Sequence, residues 1–137
     1  MKKRTALAAL VATALLAASL AGCDLLSPFS YTDNLGEWDF PGVTFNSASI
    51  GTVHLSVMGV ETDAKLDISW NSGLSFYMGD GTVSGRKFTG TYCSNSDLIT
   101  KYNFTVTFSS SGGKLKAVFA GAGPLDGLNL ENGAKTP

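Results

Sequence analysis

Apolar and polar residues alternate with period two in one short segment after another from residue 35 onward. In one such segment Val53, Leu55 and Val57 alternate with polar neighbours. Successive side chains of a β-strand point to opposite faces, so each segment predicts a strand with one apolar and one polar face. Seven further segments repeat the pattern, with predicted inward residues Trp38 and Phe40; Val43 and Phe45; Leu66, Ile68 and Trp70; Leu74, Phe76 and Met78; Phe88 and Tyr92; Tyr102, Phe104, Val106 and Phe108; and Leu115, Ala117 and Phe119. Such one-sided patterning indicates antiparallel strands.

Turn-forming residues separate these segments at short intervals. Glycine, asparagine and aspartate tolerate the positive φ that tight hairpins require. They predict turns at Glu61-Thr62-Asp63, Asn71-Ser72-Gly73, Gly79-Asp80-Gly81 and residues 110–113. Gly85 changes the apolar parity between Val83 and Phe88, which predicts a bulge or bend. Residues 93–101 form the longest predicted connection, with room for a turn or a short helical segment.

Seven or eight short amphipathic strands predict an all-β domain made of a single antiparallel meander. Such strands can form a closed barrel or a two-sheet sandwich. Hairpin connections nearly throughout favour the barrel, because a Greek-key sandwich needs a long crossing connection. We place the domain at residues 35–121, and predict that residues 122–137 are a loosely ordered tail apart from Leu125, Leu128 and Leu130.

The first 22 residues have the three parts of a bacterial export signal. A basic start is followed by an Ala/Leu-rich stretch and by small residues. Leu20-Ala21-Gly22-Cys23 resembles the lipobox of bacterial lipoproteins. The resemblance implies cleavage between Gly22 and Cys23 and a diacylglycerol on the Cys23 sulfur, with residues 23–34 as a lipidated tether. A spanning helix and an ordinary cleaved signal are the alternatives, and neither explains the cysteine.

A lipobox implies a location in the bacterial cell envelope. Asp24 resembles the signal that keeps lipoproteins of enteric bacteria in the inner membrane, facing the periplasm. In a bacterium without an outer membrane the protein would lie on the outer face of the cell membrane. Lipidation of Cys23 would leave Cys93 without an intramolecular partner, either as a small buried hydrophobe or as a free thiol, with a Cys23–Cys93 disulfide as the competing interpretation.

The charge of the mature chain argues against nucleic acid as a partner. Three of the ten basic residues lie in the leader, so residues 23–137 carry seven basic and eleven acidic residues, a net charge of -4. Phosphate binding needs clustered Lys and Arg, and Arg86-Lys87 is the only adjacent pair. An acidic body is repelled by anionic headgroups, so the membrane is predicted as a partner through the lipid anchor.

Leu35-Gly36-Glu37-Trp38, at the start of the first predicted strand, resembles the G-x-W opening of calycins, the barrel superfamily of lipocalins and avidins. Gly81-Thr82-Val83-Ser84-Gly85 and Phe88-Thr89-Gly90-Thr91-Tyr92 also resemble hairpins of such barrels. The resemblance implies a cup for a small hydrophobic ligand. The alternative is that Trp38 only anchors the core.

No residue pattern indicates catalysis, a metal or another cofactor. His54 is the only histidine and lies on the polar side of its strand without a nucleophile motif nearby. Glu37 and Asp39 share a strand face about 6.6 Å apart, but paired acids on a wet face are common. Zinc and calcium patterns are lacking as well. We therefore expect a protein that is not an enzyme.

Two classes of non-catalytic function remain. One is an envelope binding module that recognises an envelope protein, a glycan or a small hydrophobic ligand. The other is a structural or inhibitory lipoprotein, for example an inhibitor of an attacking hydrolase. Predicted inward aromatics such as Trp38, Phe104 and Phe119 could fill a small barrel, so we expect recognition through exposed loops at one rim. The candidate loop residues are Asn71, Asp80, Asn95 and Asp97.

Overall fold

The structure, a computed structural model, describes residues 29–137. Eight antiparallel strands form one closed barrel in which every strand pairs with its sequence neighbours and β8 pairs with β1. The strands are β1 (Gly36–Phe45), β2 (Ala48–Val60), β3 (Asp63–Trp70), β4 (Ser75–Ser84), β5 (Lys87–Ser94), β6 (Asp97–Ser111), β7 (Lys114–Gly121) and β8 (Asn129–Lys135). The predicted all-β meander and its closure as a barrel are confirmed.

The connections gather at two ends of the barrel, because the strands run up and down in turn. The near end holds the turns at residues 61–62, 85–86 and 112–113, together with residues 29–35, which lead into β1. The far end holds the connections at residues 46–47, 71–74, 95–96 and 122–128.

The barrel interior is packed with inward-facing side chains from every strand. In β2 these are Val53, Leu55 and Val57, as the alternation predicted, and each is at most 1% exposed. The other large, fully buried side chains of the strands include Phe40, Leu66, Ile68, Phe88, Tyr92, Phe108, Leu115 and Phe119. Trp70 was predicted to be buried as well, but it is only half-buried, because it is the last residue of β3 and lies at the barrel mouth.

Strand β4 faces the opposite way from the prediction. Leu74, Phe76 and Met78 were expected inside, but Tyr77 packs against the core instead and Gly79 is buried. The reason is space: a Cβ on Gly79 would lie 2.7 Å from the Phe104 ring. Glycine on the inner face of β4 therefore makes room for an aromatic ring from another strand.

Two local predictions in this region also need correction. Gly79-Asp80-Gly81 lies in the middle of β4, not in a turn, and Asp80 points outward to Lys65, with 2.7 Å between carboxylate and ammonium. The chain turns at residues 85–86, where Gly85 has φ +59°, so the predicted bulge or bend at Gly85 is a hairpin turn.

The predicted tail is part of the barrel. Residues 122–137 were expected to be loosely ordered, yet Asn129–Lys135 form β8, which closes the sheet between β7 and β1. Leu125, Leu128 and Leu130 are completely buried. Apolar burial and backbone pairing together fix this segment, so the domain extends well beyond residue 121.

The second half of the predicted tether also belongs to the fold. Phe29 stacks on Phe108 with ring centroids 5.3 Å apart. The Tyr31 hydroxyl donates a 2.6 Å hydrogen bond to the Met58 carbonyl oxygen, and the Tyr31 side chain is fully buried. Residues 29–34 therefore cap the near end of the barrel. The predicted signal peptide, residues 1–22, and Cys23 lie outside the described residues.

Candidate functional site

The barrel is closed at both ends by its own chain. Phe29 and Tyr31 cover the near end, and residues 122–128 cover much of the far end. There the Tyr92 hydroxyl donates to the Ala122 carbonyl oxygen and accepts from the Leu125 N–H, both at 2.8 Å. Burial raises the pKa of Tyr92, so the hydroxyl keeps its proton and both hydrogen bonds at neutral pH. The interior is thus occupied by side chains rather than by an open cup.

Three half-buried aromatic side chains remain at the far end. Trp70 and Tyr77 have ring centroids 5.5 Å apart, and Tyr77 meets the buried Tyr92 edge-on at 5.9 Å. Tyr102 lies on the other side of Tyr92 at 5.4 Å. Tyr92 of β5 therefore lies within a row of aromatic rings from four neighbouring strands, β3 to β6, and the other three members are half-buried.

Exposed aliphatic side chains lie at the same end of the barrel. Leu74 is 79% exposed, Leu98 60% and Ile99 92%, the highest values for large hydrophobic residues in the described part of the chain. Large aliphatic side chains are normally withdrawn from water, so a group of them exposed at one end is an unusual surface feature. We call the following six residues the apolar rim: Trp70, Leu74, Tyr77, Leu98, Ile99 and Tyr102.

Leu98 and Ile99 are held outward by a braced bulge. Residues 98–101 of β6 face the single residue Cys93 of β5, because the pairing passes from Tyr92↔Tyr102 directly to Ser94↔Asp97. One Asp97 carboxylate oxygen accepts hydrogen bonds from the backbone N–H groups of Ile99 and Thr100, each 3.1 Å long. The chain therefore keeps two apolar side chains in water within a fixed backbone.

The Asp97 brace should weaken at low pH. Hydrogen bonds from the Thr100 side chain, then from the backbone N–H groups of Thr100 and Ile99, lower the pKa of Asp97 below its usual value of about 3.9. Because the folded-state pKa is lowered, the brace is intact above about pH 4 and is lost as the pH falls through the folded-state pKa. Faster hydrogen exchange at Ile99 and Thr100 would then accompany protonation of Asp97 in an NMR titration. Unchanged relative protection while the Asp97 carboxyl signal titrates would contradict this.

Three of the four predicted loop residues come together at the far end. Asn71 begins a short 3-10 turn, Asn95 occupies the β5–β6 turn and Asp97 braces the bulge. The Asn95 N–H donates to the Phe76 carbonyl oxygen at 3.0 Å, which fastens this turn to β4. Asp80 does not join them, since it lies on the outer wall of the barrel.

Sequence reasoning missed the apolar rim. It assigned Trp70, Leu74 and Tyr102 to the core by parity and gave no role to Leu98 and Ile99. The available signal was two adjacent large apolar residues inside a connection that is otherwise polar, residues 93–101. Adjacent residues of an extended chain point to opposite sides, so both cannot enter the same core.

Three polar side chains on the outer wall belong to the residue types of a catalytic triad. His54 Nδ1 lies 2.5 Å from the Asp39 carboxylate, and Ser69 is the cross-strand neighbour of His54. Among the described residues no hydrogen bond joins Ser69 to His54, and the His54 and Asp39 side chains are 56% and 39% exposed. The arrangement therefore lacks the nucleophile–base contact of a triad.

Metal and thiol chemistry find little support in residues 29–137. No three His, Cys, Asp or Glu side chains in this range are placed to hold a metal ion. Cys93 is half-buried, lies opposite Met78 in the sheet and forms no disulfide with another described residue. Its proposed alternative partner, Cys23, lies outside the described range.

Fold and surface together define a small closed meander barrel with a filled interior and an apolar rim. In residues 29–137 no helix is long and apolar enough to cross a bilayer. Comparison of the chain with family models, characterised proteins and solved structures gives no match. The resemblance to calycins therefore stays a prediction.

Proposed function

We propose that this protein is a lipoprotein of the bacterial cell envelope, anchored through Cys23, that acts as a non-catalytic binding module. The observation that carries the proposal is the apolar rim, whose Leu98–Ile99 segment is braced by Asp97, at the end of the barrel opposite the point where the anchored segment joins it. Anchor and recognition surface would thus occupy opposite ends of one rigid domain.

The position of the N-terminal segment supports the anchor. Phe29, the first described residue, lies buried at the near end, and only five residues separate it from Cys23. A lipid on Cys23 would therefore hold the near end close to the bilayer and leave the far end facing away from it. Asp24 favours the periplasmic face of the inner membrane where a second membrane exists.

The composition of the rim supports a protein as the partner. Its centre is aromatic and aliphatic, while its surroundings are mostly uncharged, including Asn71, Ser94 and Asn95. Protein interfaces have the same character at their centres, where aromatic residues are enriched and charged residues depleted. A glycan could also stack on Trp70 and Tyr77. A small hydrophobic ligand has less support, because the interior is filled.

The braced tip at residues 94–101 supports a second candidate function. An inhibitor of an attacking hydrolase needs a loop that keeps its shape before binding, since ordering a loop on binding weakens affinity. The carboxylate of Asp97 supplies such rigidity beside Leu98 and Ile99. In this candidate the partner is the hydrolase and the tip enters its cleft.

Replacing Cys23 with serine should move the protein out of the membrane fraction. Serine offers no thiol for the diacylglycerol, so the variant is expected as a soluble form or as an unprocessed precursor on fractionation and immunoblotting. Cys93→Ser is the matched control and should remain with the membrane. Mass spectrometry that finds an unmodified Cys23 at the start of the mature wild-type protein would refute the anchor.

The rim is tested with a photo-crosslinking amino acid at position 99 in cells. A control variant of the same protein carries the crosslinking amino acid at position 60. Val60 is also exposed, at 55%, but lies at the near end. We expect a specific adduct from position 99 only, and purification of the crosslinked protein then allows affinity to be measured directly.

Leu98→Ser together with Ile99→Ser should weaken that affinity at least about tenfold. Burying one aliphatic side chain contributes about 1.5–3 kcal/mol, and about 1.4 kcal/mol corresponds to a factor of ten in affinity. Val60→Ser should leave the affinity unchanged. Equal losses in the rim and control variants would show that the rim is not the binding surface.

A further inference from the structure

We propose that the near end of the barrel docks on anionic lipid headgroups, so that the barrel stands upright with the apolar rim facing away from the bilayer. The proposal rests on the lipid anchor of the proposed function for its tether, but its electrostatic part follows from the described residues alone.

Charge is segregated along the barrel. Residues 29–137 contain seven basic residues, and six of them lie in near-end turns or within two residues of the near end of a strand: Lys65, Arg86, Lys87, Lys114, Lys116 and Lys135. Four of the ten acidic residues lie there too: Asp33, Glu37, Glu61 and Asp63. The near end thus has two net positive charges, and the rest of the barrel has five net negative charges.

Several of these cations are free to meet a ligand. Lys65 pairs with Asp63 and Asp80, and Lys116 pairs with Glu131. Arg86, Lys87 and Lys114 make no ion pair with any described residue, and the Lys135 ammonium lies 5.6 Å from the centre of the Trp38 ring. The opposing unpaired acids at this end are Asp33, Glu37 and Glu61.

The chain reaches the barrel beside the free cations. Phe29 stacks on Phe108, and the Phe108 N–H donates to the Arg86 carbonyl oxygen at 2.8 Å. Six Cα–Cα steps from Cys23 to Phe29 span at most about 22 Å. A lipid on Cys23 therefore keeps the 85–86 turn within reach of the headgroups.

An anionic surface would act on both parts of this charge distribution. Its potential attracts the near end and repels the remainder, and both effects fade within a Debye length of about 8 Å. The two effects together would orient the barrel on the membrane more than they would strengthen its binding. The net charge of -4 on residues 23–137 does not reveal this separation of charge between the two parts of the barrel. The repulsion expected from the sequence therefore applies to the barrel wall and not to the end that meets the lipid.

Orientation can be measured by paramagnetic broadening of backbone amide signals in lipid nanodiscs. The mature lipidated protein is placed in phosphatidylcholine alone and in a mixture with phosphatidylglycerol, each with a trace of nitroxide-headgroup lipid. With phosphatidylglycerol, broadening at Arg86, Lys87 and Gly113 should exceed that at Ser72, Asn95 and Ile99 by at least about threefold, and 0.5 M salt should reduce the ratio.

Charge reversal provides the matched comparison. Arg86→Glu with Lys87→Glu should lower the near-to-far ratio at least about twofold in the anionic discs, because it removes two attractive charges and adds two repulsive ones. Lys101→Glu, at the far end, should leave the ratio unchanged. Equal broadening at both ends, or the same ratio with and without phosphatidylglycerol, would overturn the proposal.

The test separates this proposal from the anchor. Mass spectrometry of Cys23 precedes reconstitution, and an unacylated Cys23 refutes the anchor alone. In that case a Cys93→Ala protein is joined through Cys23 to a maleimide lipid and the same ratios are measured. Upright docking of this tethered form would support the electrostatic part, and random orientation would refute it.

Discussion

Replacing Phe104 with alanine is expected to lower the free energy of unfolding by about 3–5 kcal/mol. The Phe104 side chain is 3% exposed and lies at the centre of the aromatic packing, with ring centroids 4.7 Å from Tyr92, 5.3 Å from Phe88 and 6.2 Å from Phe119. It also occupies the space over Gly79. A domain of this size has about 5–15 kcal/mol in total, so the variant should be close to unfolding at 37 °C, as urea denaturation would show.

The matched control for Phe104→Ala is Leu74→Ala. Leu74 is equally apolar but 79% exposed, so its truncation should change stability by no more than about 0.5 kcal/mol. Phe104→Leu should fall between the two because it leaves a smaller cavity. A Phe104→Ala protein with the urea midpoint of the wild type would show that the interior is not packed around this ring.

Ending the chain after Leu128 should abolish cooperative unfolding altogether. The shortened protein lacks β8, which contributes the fully buried Leu130 and pairs with both β7 and β1. Its loss opens two sheet edges, and exposed edges favour aggregation. We expect no sigmoidal thermal transition by circular dichroism and early elution on gel filtration.

Removal of Pro137 alone is the control for this truncation. It leaves Thr136, whose N–H and hydroxyl both donate to the Glu37 carbonyl oxygen at 2.9 and 3.0 Å. This variant should melt like the intact protein. If the protein ending at Leu128 also melted like the intact protein, the sequence-based expectation of a loose tail would be right and the eighth strand dispensable.

Period-two alternation predicted most of the barrel because it reflects burial directly. Val53 and Leu55 in β2 have polar neighbours on both sides, so only one face of that strand can enter the core. Strand β4 offers no such contrast, since Phe76 and Tyr77 are adjacent aromatics. Its inward face is decided by the Phe104 ring, which needs the space above Gly79, and that ring comes from a distant part of the sequence.

The eighth strand was missed because its inward face is sparse. Asn129–Lys135 contributes Leu130 and then Gly133, which has no side chain to reveal an alternation. The Phe40 ring occupies the space beside Gly133, since a Cβ on Gly133 would lie 2.5 Å from that ring. A glycine opposite a large ring is a complementary pair that only the folded sheet brings together.

The position of the candidate site was predictable from the sequence, but the apolar character of its surface was not. Turn propensities located Asn71, Asn95 and Asp97 near exposed connections, and the structure collects all three at the far end. The apolar rim was not predictable from alternation, because alternation assigns every apolar residue of a strand to a core. Trp70 and Tyr102 share the inward parity, but they lie at the barrel mouth, where that direction leads toward solvent.

The seam between β1 and β8 determines the order in which the barrel can assemble. Each of the first seven strands can pair with its successor through a local hairpin, which forms quickly. The seam joins Trp38 to Lys135 and Asp39 to Ala134, residues almost a full domain apart in sequence. Loop-closure entropy opposes such distant contacts. The edge of β1 that pairs with β8 should therefore stay unpaired until the last strand has been synthesised. The interval between synthesis of the first and last strands is thus when a newly made chain is most exposed to aggregation.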